Sequence, residues 1–323
     1  MTLDEFLQVL PTVARDHVVV AGDLRALGAT GEDIRRFRAA GHLLRQTTGI
    51  YTTPGAPTGD LLLARVTSAH AGPGALITGT LAARMLGWRW IPVTGKAHVL
   101  VPAERRRSQT EAWVLVRRCS WHNTLAPVEV DGVLFAPNAQ IAVDAGREID
   151  NLRDVRGVVL GALLDGRCTV EEIRTILGRS AVGGTALVRR ACTDAERGAT
   201  SPPEAEAADL FLGRGVPFYV NCEIYVDGVL IGVADIWLVG QGVGGEIDSR
   251  EFHEKEQLLD ATLQRHKRYS AATLSLEHVT PARMRADPEG FVQTLFATAA
   301  LRRAQGITEP AGLTLKPRGP LLC

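Results

Sequence analysis

Four residues between positions 229 and 253, in the stretch VLIGVADIWLVGQGVGGEIDSREFH, are of types that act together chemically: Asp235, Glu246, Asp248 and His253. Asp235 interrupts a run of alternating apolar residues, and Glu246 and Asp248 stand two apart, so on a strand the latter two share a face. If strands carrying Asp235 and Glu246 pair across a hairpin, their carboxylates approach within a few ångströms. Two ionised carboxylates about 4 Å apart repel by roughly 4 kcal/mol at an effective dielectric near 20. Such a pair takes up a proton or holds a cation between its members. Oxygen ligands with water in the remaining positions suit Mg²⁺ or Mn²⁺. An ion so held activates water and neutralises charge on a phosphate under attack.

The elements that must position these groups are legible around them. Ser201-Pro202-Pro203-Glu204 opens a helix, with Ser as N-cap, Pro in the first turn and an acid at the positive end of the dipole. Glu204 on that helix is expected to reach the same ion, and Leu210 and Phe211 are its expected core contacts. Residues 218–226 read as a strand, Asp227-Gly228 as a two-residue hairpin turn, and 229–239 as a second strand. On the second strand, alternation puts Ile231, Val233, Asp235 and Trp237 on one face. Residues 243–248 read as a third strand, 253–268 as a helix with Leu258, Leu259 and Leu263 inward, and 272–276 as a fourth strand. Thr280-Pro281 and Asp287-Pro288 each start a closing helix.

Ahead of this region the chain reads differently. Leu3, Phe6, Leu7 and Leu10 are spaced for one helix face. Residues 21–27 form a short helix closed by Gly28, and Thr30-x-x-Asp33 opens another with a capping-box pattern. Ile34, Phe37 and Ala40 face inward by spacing, Arg35, Arg36 and Arg38 face outward, and Gly41 supplies the stop. Residues 43–51 alternate as a tight hairpin that includes Arg45. This is the pattern of a winged helix-turn-helix, whose third helix enters a DNA groove with a basic face. In the middle of the chain, 61–69 and 76–86 have helical spacing, while 98–101 and 113–118 alternate as strands. Between those strands Arg105, Arg106 and Arg107 form the densest positive run in the chain, read as a phosphate-contacting loop or as a solvated turn. Thr169-x-x-Glu172 caps a later helix, and a further helix over 185–192 is followed by a domain boundary at 198–203.

The totals bound the rest. A chain of 323 residues with 46% hydrophobic content supports two or three folded domains. Zero net charge denies a general pull toward nucleic acid, so binding there requires local clusters. The cysteines at 119, 168, 192, 222 and 323 are scattered with no CxxC pair, which fits reduced thiols in a cytoplasmic protein. The acidic, amphipathic start is not a signal peptide, and no apolar run approaches the length of a membrane span.

Two resemblances extend this reading. VVVAGDLRALGATGEDIRRFRAAGHLLRQTTGIYTTP resembles the N-terminal winged helix of AbiEi-type antitoxins and their actinobacterial relatives. ALITGTLAARMLGW, HVLVPAERRR, IAVDAGREID and LDGRCTVEEIRTIL extend the likeness over about 180 residues. It implies binding of double-stranded DNA and a toxin or other operon partner. The C-terminal order of helix, three antiparallel strands, helix, strand and helix is similar to the PD-(D/E)xK (restriction-endonuclease-like) core. GVADIWLVGQGVGGEIDSREFH and DATLQRHKRYSAATLSLEHVTPARMRADPEGFVQTL resemble its Vsr-like branch. That resemblance implies Asp235 and Glu246 as metal ligands, Asp248 as a further acidic site residue and Glu204 as the first-helix acid. It makes His253 a general acid/base or phosphate contact, with Arg265 and His266 lining the site. The chain departs from the pattern in carrying Asp248 where the superfamily's lysine commonly stands, and Ser249 in place of the usual Gly.

The expected whole is an α+β multidomain protein. It comprises a winged helix over 1–55, a mixed α/β middle domain over 56–180, a helix and linker over 181–200, a nuclease-fold domain over 201–305 and a tail over 306–323. Two functions fit: a Mg²⁺- or Mn²⁺-dependent DNA endonuclease, or an antitoxin-like transcriptional (auto)repressor with an inactive nuclease fold.

Overall fold

The structure is a computed structural model that describes residues 1–105, 111–180, 183–248 and 264–323. It is a mixed α+β protein of two compact units. Unit 1 takes Met1–Asp150 and Thr175–Thr185, and unit 2 takes Asn151–Arg174 and Ala186–Cys323.

Unit 1 begins with α1 (Leu3–Val13), β1 (Val18–Val20), α2 (Ala21–Ala26), α3 (Gly31–Ala39), β2 (Leu44–Thr47) and β3 (Ile50–Thr52). The strands form an antiparallel sheet in the order β1-β3-β2. Thr30 and Asp33 close the capping box expected for α3, and Thr2 and Glu5 do the same for α1. The core face of α1 differs from the simple spacing. Leu3 and Leu7 are exposed, while Phe6 is fully buried and stacks on Phe37 of α3 at 3.8 Å between ring centroids. One aromatic pair has set the rotation of the helix.

The unit continues with α4 (Asp60–Ala71), β4 (Leu76–Thr78), α5 (Gly79–Met85), β5 (Ala97–Pro102) and β6 (Val114–Cys119). After these come β7 (Val128–Val130), β8 (Val133–Phe135) and α6 (Asn138–Gly146). The sheet order is β6-β5-β4-β8-β7. The helical spacing over 76–86 conceals a break. Leu76–Thr78 is a fully buried strand, and Gly79, at φ +71, turns the chain into α5. A run of apolar residues this short does not distinguish strand from helix.

Unit 2 contains α7 (Leu152–Leu164), part of α8 (Val170–Arg179), α9 (Ala186–Glu196) and α10 (Pro202–Phe211). Residues 198–203, read as a boundary, lie inside unit 2, and the segment read as helix and linker divides, with 186–200 in unit 2 and the residues up to Thr185 in unit 1. Charge holds α7, α9 and α10 together. The buried Arg156 donates to Asp194 Oδ2 at 2.8 Å and to Asp209 Oδ2 at 2.5 Å, and Arg190 bonds both aspartates. A buried guanidinium is tolerated when it is paired on several sides.

The sheet of unit 2 comprises β9 (Phe218–Val226), β10 (Val229–Leu238), β11 (Val243–Ile247), β12 (Ser275–Val279) and β13 (Leu313–Pro317), in the order β12-β11-β10-β9-β13. Residues 264–271 are helical and are labelled α11, followed after β12 by α12 (Pro281–Ala286) and α13 (Pro288–Ala304). β9, β10 and β11 run antiparallel in turn, and β12 lies parallel to β11. The segment expected as a tail is not free. β13 pairs antiparallel with β9 from Leu313↔Val226 to Pro317↔Cys222. The fourth strand begins three residues later than expected. Thr280 and Asp287 cap α12 and α13 as their sequences predict, whereas Ser201 leads α10 without accepting a capping hydrogen bond.

Two cores cover the two faces of this sheet. One gathers Phe218, Val220, Ile236, Leu238, Val243 and Ile247 against Phe211 of α10 and Phe291 and Leu295 of α13. The other gathers Cys222, Ile224, Ile231, Ala234, Trp237 and Leu276 against Tyr269 of α11. The consecutive glycines of β11 serve one core each. A Cβ on Gly244 would lie 2.9 Å from Ala234 Cβ, and one on Gly245 would lie 2.9 Å from Phe291 Cζ.

Candidate functional site

Strict alternation would keep residues 218, 220, 222 and 224 of β9 on one face. They instead divide between the cores, Phe218 and Val220 in one and Cys222 and Ile224 in the other. The change occurs at Asn221, which adopts φ +50. On β10, Ala234 belongs to one core and Ile236 and Leu238 to the other, so that strand changes at Asp235. The register of Ala234↔Cys222 and Ile236↔Val220 sets Asp235 opposite Asn221. The face predicted to hold Ile231, Val233, Asp235 and Trp237 together is therefore broken. Val233 is exposed, and a register shift between Leu230 and Gly232 precedes it.

This crossover is where the acidic residues meet. The ladder between β10 and β11 ends at Ile236↔Gly245, and its continuation faces Asp235 with Glu246. There the Asp235 side chain replaces the ladder, with Oδ2 accepting the Ile247 N–H at 2.6 Å. Glu204, in the first turn of α10, accepts from Thr200 N (2.8 Å), Thr200 Oγ1 (2.9 Å), Ser201 Oγ (2.7 Å) and Asn221 Nδ2 (2.5 Å). Asn221 thus both turns the strand and fixes the neighbouring acid. Glu246 is half-buried, and Arg265 of α11 donates to its Oε1.

The electrostatics follow from this crowding. Close packing raises the Asp235 carboxyl to about 7, and the charge of Glu204 and, less strongly, Asp248 adds to that. The Ile247 N–H and Arg265 oppose it. Asp248 is exposed just beyond β11, and its N–H donates to Val279 O. On β12, His278 lies in parallel register with Glu246, and its ring packs on that of His266 at 4.6 Å between centroids. Burial, His266 and Arg265 lower His278 to about 4.

The structure thus brings Glu204, Asp235, Glu246 and Asp248 into one neighbourhood. His253 lies outside the described residues. Among the described residues, no group of three histidine, cysteine, aspartate or glutamate side chains forms a ready metal cage. Single buried atoms do fit a cation: Glu246 Oε2 and His278 Nε2 have no hydrogen-bond partner among the described residues. An ion here would take Asp235 and Glu246 as oxygen ligands, with Glu204 and Asp248 adding negative charge around it.

Sequence reasoning left out Asn221 and His278. The signal for His278 was the same as for Asp235, a polar residue continuing an apolar alternation after Leu274 and Leu276. Asn221 carried a weaker signal, a polar residue of a type that tolerates positive φ within the apolar run 218–226, which does not by itself say that the strand turns there.

The basic residues of unit 1 stand as follows. Arg35, Arg36, Arg38 and Arg45 are all exposed. Arg35 pairs with Glu32, Arg36 with Asp33 at 2.9 Å, and Arg38 lies over the Tyr51 ring at 5.9 Å. Arg35, Arg38 and Arg45 edge one shallow depression with Leu43 and Leu44. Arg105 is half-buried and donates to Pro73 O at 2.9 Å, whereas Arg106 and Arg107 lie outside the described residues.

No protein-family model matches the chain, and no curated protein matches it. Among solved structures it is similar to the RV2827C protein from Mycobacterium tuberculosis, at 19% identity and a TM-score of 0.41, over 60% of this chain and 78% of that one. A likeness at that level bears on neither fold family nor chemistry. No helix among the described residues is long and apolar enough to cross a membrane.

Proposed function

We propose that this chain binds double-stranded DNA through a winged helix in unit 1. We further propose that it hydrolyses DNA phosphodiesters, with Mg²⁺ or Mn²⁺, at a PD-(D/E)xK-type site of the Vsr-like branch in unit 2. The observation that carries the reading is the place of Asp235 and Glu246 one residue beyond the last β10–β11 rung, Ile236↔Gly245, with Glu204 near enough to raise the Asp235 carboxyl, so that acids gather where the strands change faces. The element order α10, β9, β10, β11, α11, β12, with β12 parallel to β11, supports the same fold. In unit 1 the order α1, β1, α2, α3, β2, β3 and the exposed arginines 35, 38 and 45 support a groove-binding helix and wing.

In this reading a bound divalent ion supplies water activation and charge neutralisation at the scissile phosphate. The chain's own part is positional. The Ile247 N–H holds Asp235, four donors hold Glu204, and Arg265 orients Glu246. The test is nicking of supercoiled plasmid by the purified chain with Mn²⁺ or Mg²⁺. Asp235→Ala and Glu246→Ala are each expected to reduce it to background, and cleavage that survives in both variants overturns the assignment.

One observation favours a second reading. Arg265 already neutralises Glu246, and Asp248 stands where the superfamily's lysine is common, a combination suited to a retired site. The chain is then an antitoxin-like autorepressor, partnered with a toxin from its own operon. It binds its promoter through Arg35, Arg36, Arg38 and Arg45 and is indifferent to Asp235→Ala. Every arginine that neutralises a phosphate adds about 0.9 to the steepness with which log K falls against log salt, and its replacement by alanine flattens the line by that amount. An unchanged slope in the Arg35→Ala/Arg38→Ala/Arg45→Ala variant counts against that interface under either reading.

A further inference from the structure

Glu246 and His278 occupy matched positions on adjacent parallel strands. Two residues earlier in each strand, Gly244 and Leu276 meet closely, since a Cβ on Gly244 would lie 3.2 Å from Leu276 Cδ1. Side chains two apart share a face, so Glu246 and His278 emerge on the same side of the sheet, the side covered by α11.

Each of these residues is held from one end and left open at the other. Arg265 takes Glu246 Oε1, while Oε2 is buried without a hydrogen-bond partner among the described residues. His266 packs on the His278 ring, while Nε2 is likewise buried without a partner among the described residues. An unpaired buried polar atom costs free energy, and two on matched positions of neighbouring strands, not bonded to each other, are placed to share a bound cation. The donor set is one carboxylate oxygen and one imidazole nitrogen. Mg²⁺ prefers all-oxygen coordination, whereas later divalent metals accept imidazole nitrogen readily, in the order Mn²⁺ below Co²⁺.

We propose that Glu246 Oε2 and His278 Nε2 form a carboxylate–imidazole anchor for a divalent transition metal, and that His278 sets the site's preference for Co²⁺ and Mn²⁺ over Mg²⁺. The anchor deepens the nuclease reading, on which its purpose rests, but cation binding is measurable without DNA. The remaining positions would fall to water, to a phosphate oxygen or to Asp235, the other oxygen ligand of the proposed site, which leaves the ion open to substrate.

The test uses the full chain without DNA. Mn²⁺ is titrated by the loss of its free electron paramagnetic resonance signal, Co²⁺ by visible absorbance, and Mg²⁺ by competition with Mn²⁺. The wild-type chain is expected to bind Co²⁺ more tightly than Mn²⁺, and both at least tenfold more tightly than Mg²⁺. His278→Ala is expected to lose at least tenfold in Co²⁺ and Mn²⁺ affinity and less than twofold for Mg²⁺. His278→Asn, which keeps polarity but places no atom at the Nε2 position, is the second variant. Unchanged Mn²⁺ and Co²⁺ affinity in both variants overturns the anchor. If neither variant folds, substoichiometric Mn²⁺ added to the wild-type chain must broaden the His278 ring resonances first, and their persistence overturns it equally. Cation binding that depends on His278 in a chain that never nicks DNA leaves the anchor standing and removes the endonuclease. Nicking by a chain whose cation affinity ignores His278 does the reverse.

Discussion

Asp235 stands opposite Asn221, the residue at which β9 passes through a left-handed backbone conformation, and both strands exchange their buried faces at that rung. Through its side-chain amide Asn221 also binds Glu204, the acid whose charge helps to raise Asp235. A backbone irregularity thus sets both the position and the protonation of the central carboxylate.

Asp235 gives a pH dependence of definite sign. Its carboxyl is raised from the ordinary 3.8 to about 7 in the folded chain. A raised acid favours the fold while protonated, so its contribution is complete below about pH 4 and is lost as pH rises through about 7. In metal-free protein, Asp235→Asn should be more stable than wild type at pH 8 by about 1–3 kcal/mol, with the advantage gone near pH 4. Urea denaturation at the two pH values measures this, and a variant equally weakened at both refutes the burial of a charge.

Glu204 separates charge from hydrogen bonding. Glu204→Ala removes the acceptor of Thr200 N, Thr200 Oγ1 and Ser201 Oγ and should cost about 1–3 kcal/mol. Glu204→Gln retains an acceptor oxygen and should cost less. Both changes remove the charge next to Asp235, so in both the Asp235 titration followed by carboxyl carbon NMR should move below 7. A midpoint that stays in place in both variants separates Asp235 from Glu204.

Gly245→Ala should destabilise unit 2 by about 1–3 kcal/mol through overpacking. The new methyl meets Phe291 Cζ at 2.9 Å and Leu295 Cδ2 at 3.2 Å. Shortening the obstacle with Phe291→Leu should make the double variant less unstable than the two single costs added together. Strict additivity in chemical denaturation places the close contact elsewhere.

Much of the frame was legible in the chain because it is written locally. Thr30 with Asp33, Thr280 before Pro281 and Asp287 before Pro288 start helices by satisfying the first free N–H groups, and those signals need no distant partner. Asp227-Gly228 turns β9 into β10 because both residues take positive φ there. The residues that depend on remote neighbours were not legible. The rotation of α1 waits on the Phe6–Phe37 stack, and the strand at Leu313–Pro317 exists only because β9 offers it an edge.

By itself, then, the sequence determined the acids of the candidate site and the order of helices and strands that carries them, since capping, turn chemistry and apolar period act over a few residues. The tertiary structure alone decided which of those acids crowd together, that Asp235 is raised to about 7, and that His278 stands level with Glu246 on the neighbouring strand. The reason is physical. Burial, strand register and the approach of Glu204 and Arg265 are set by segments far apart in the chain, and the kink at Asn221 that aligns them has no signature in its neighbours.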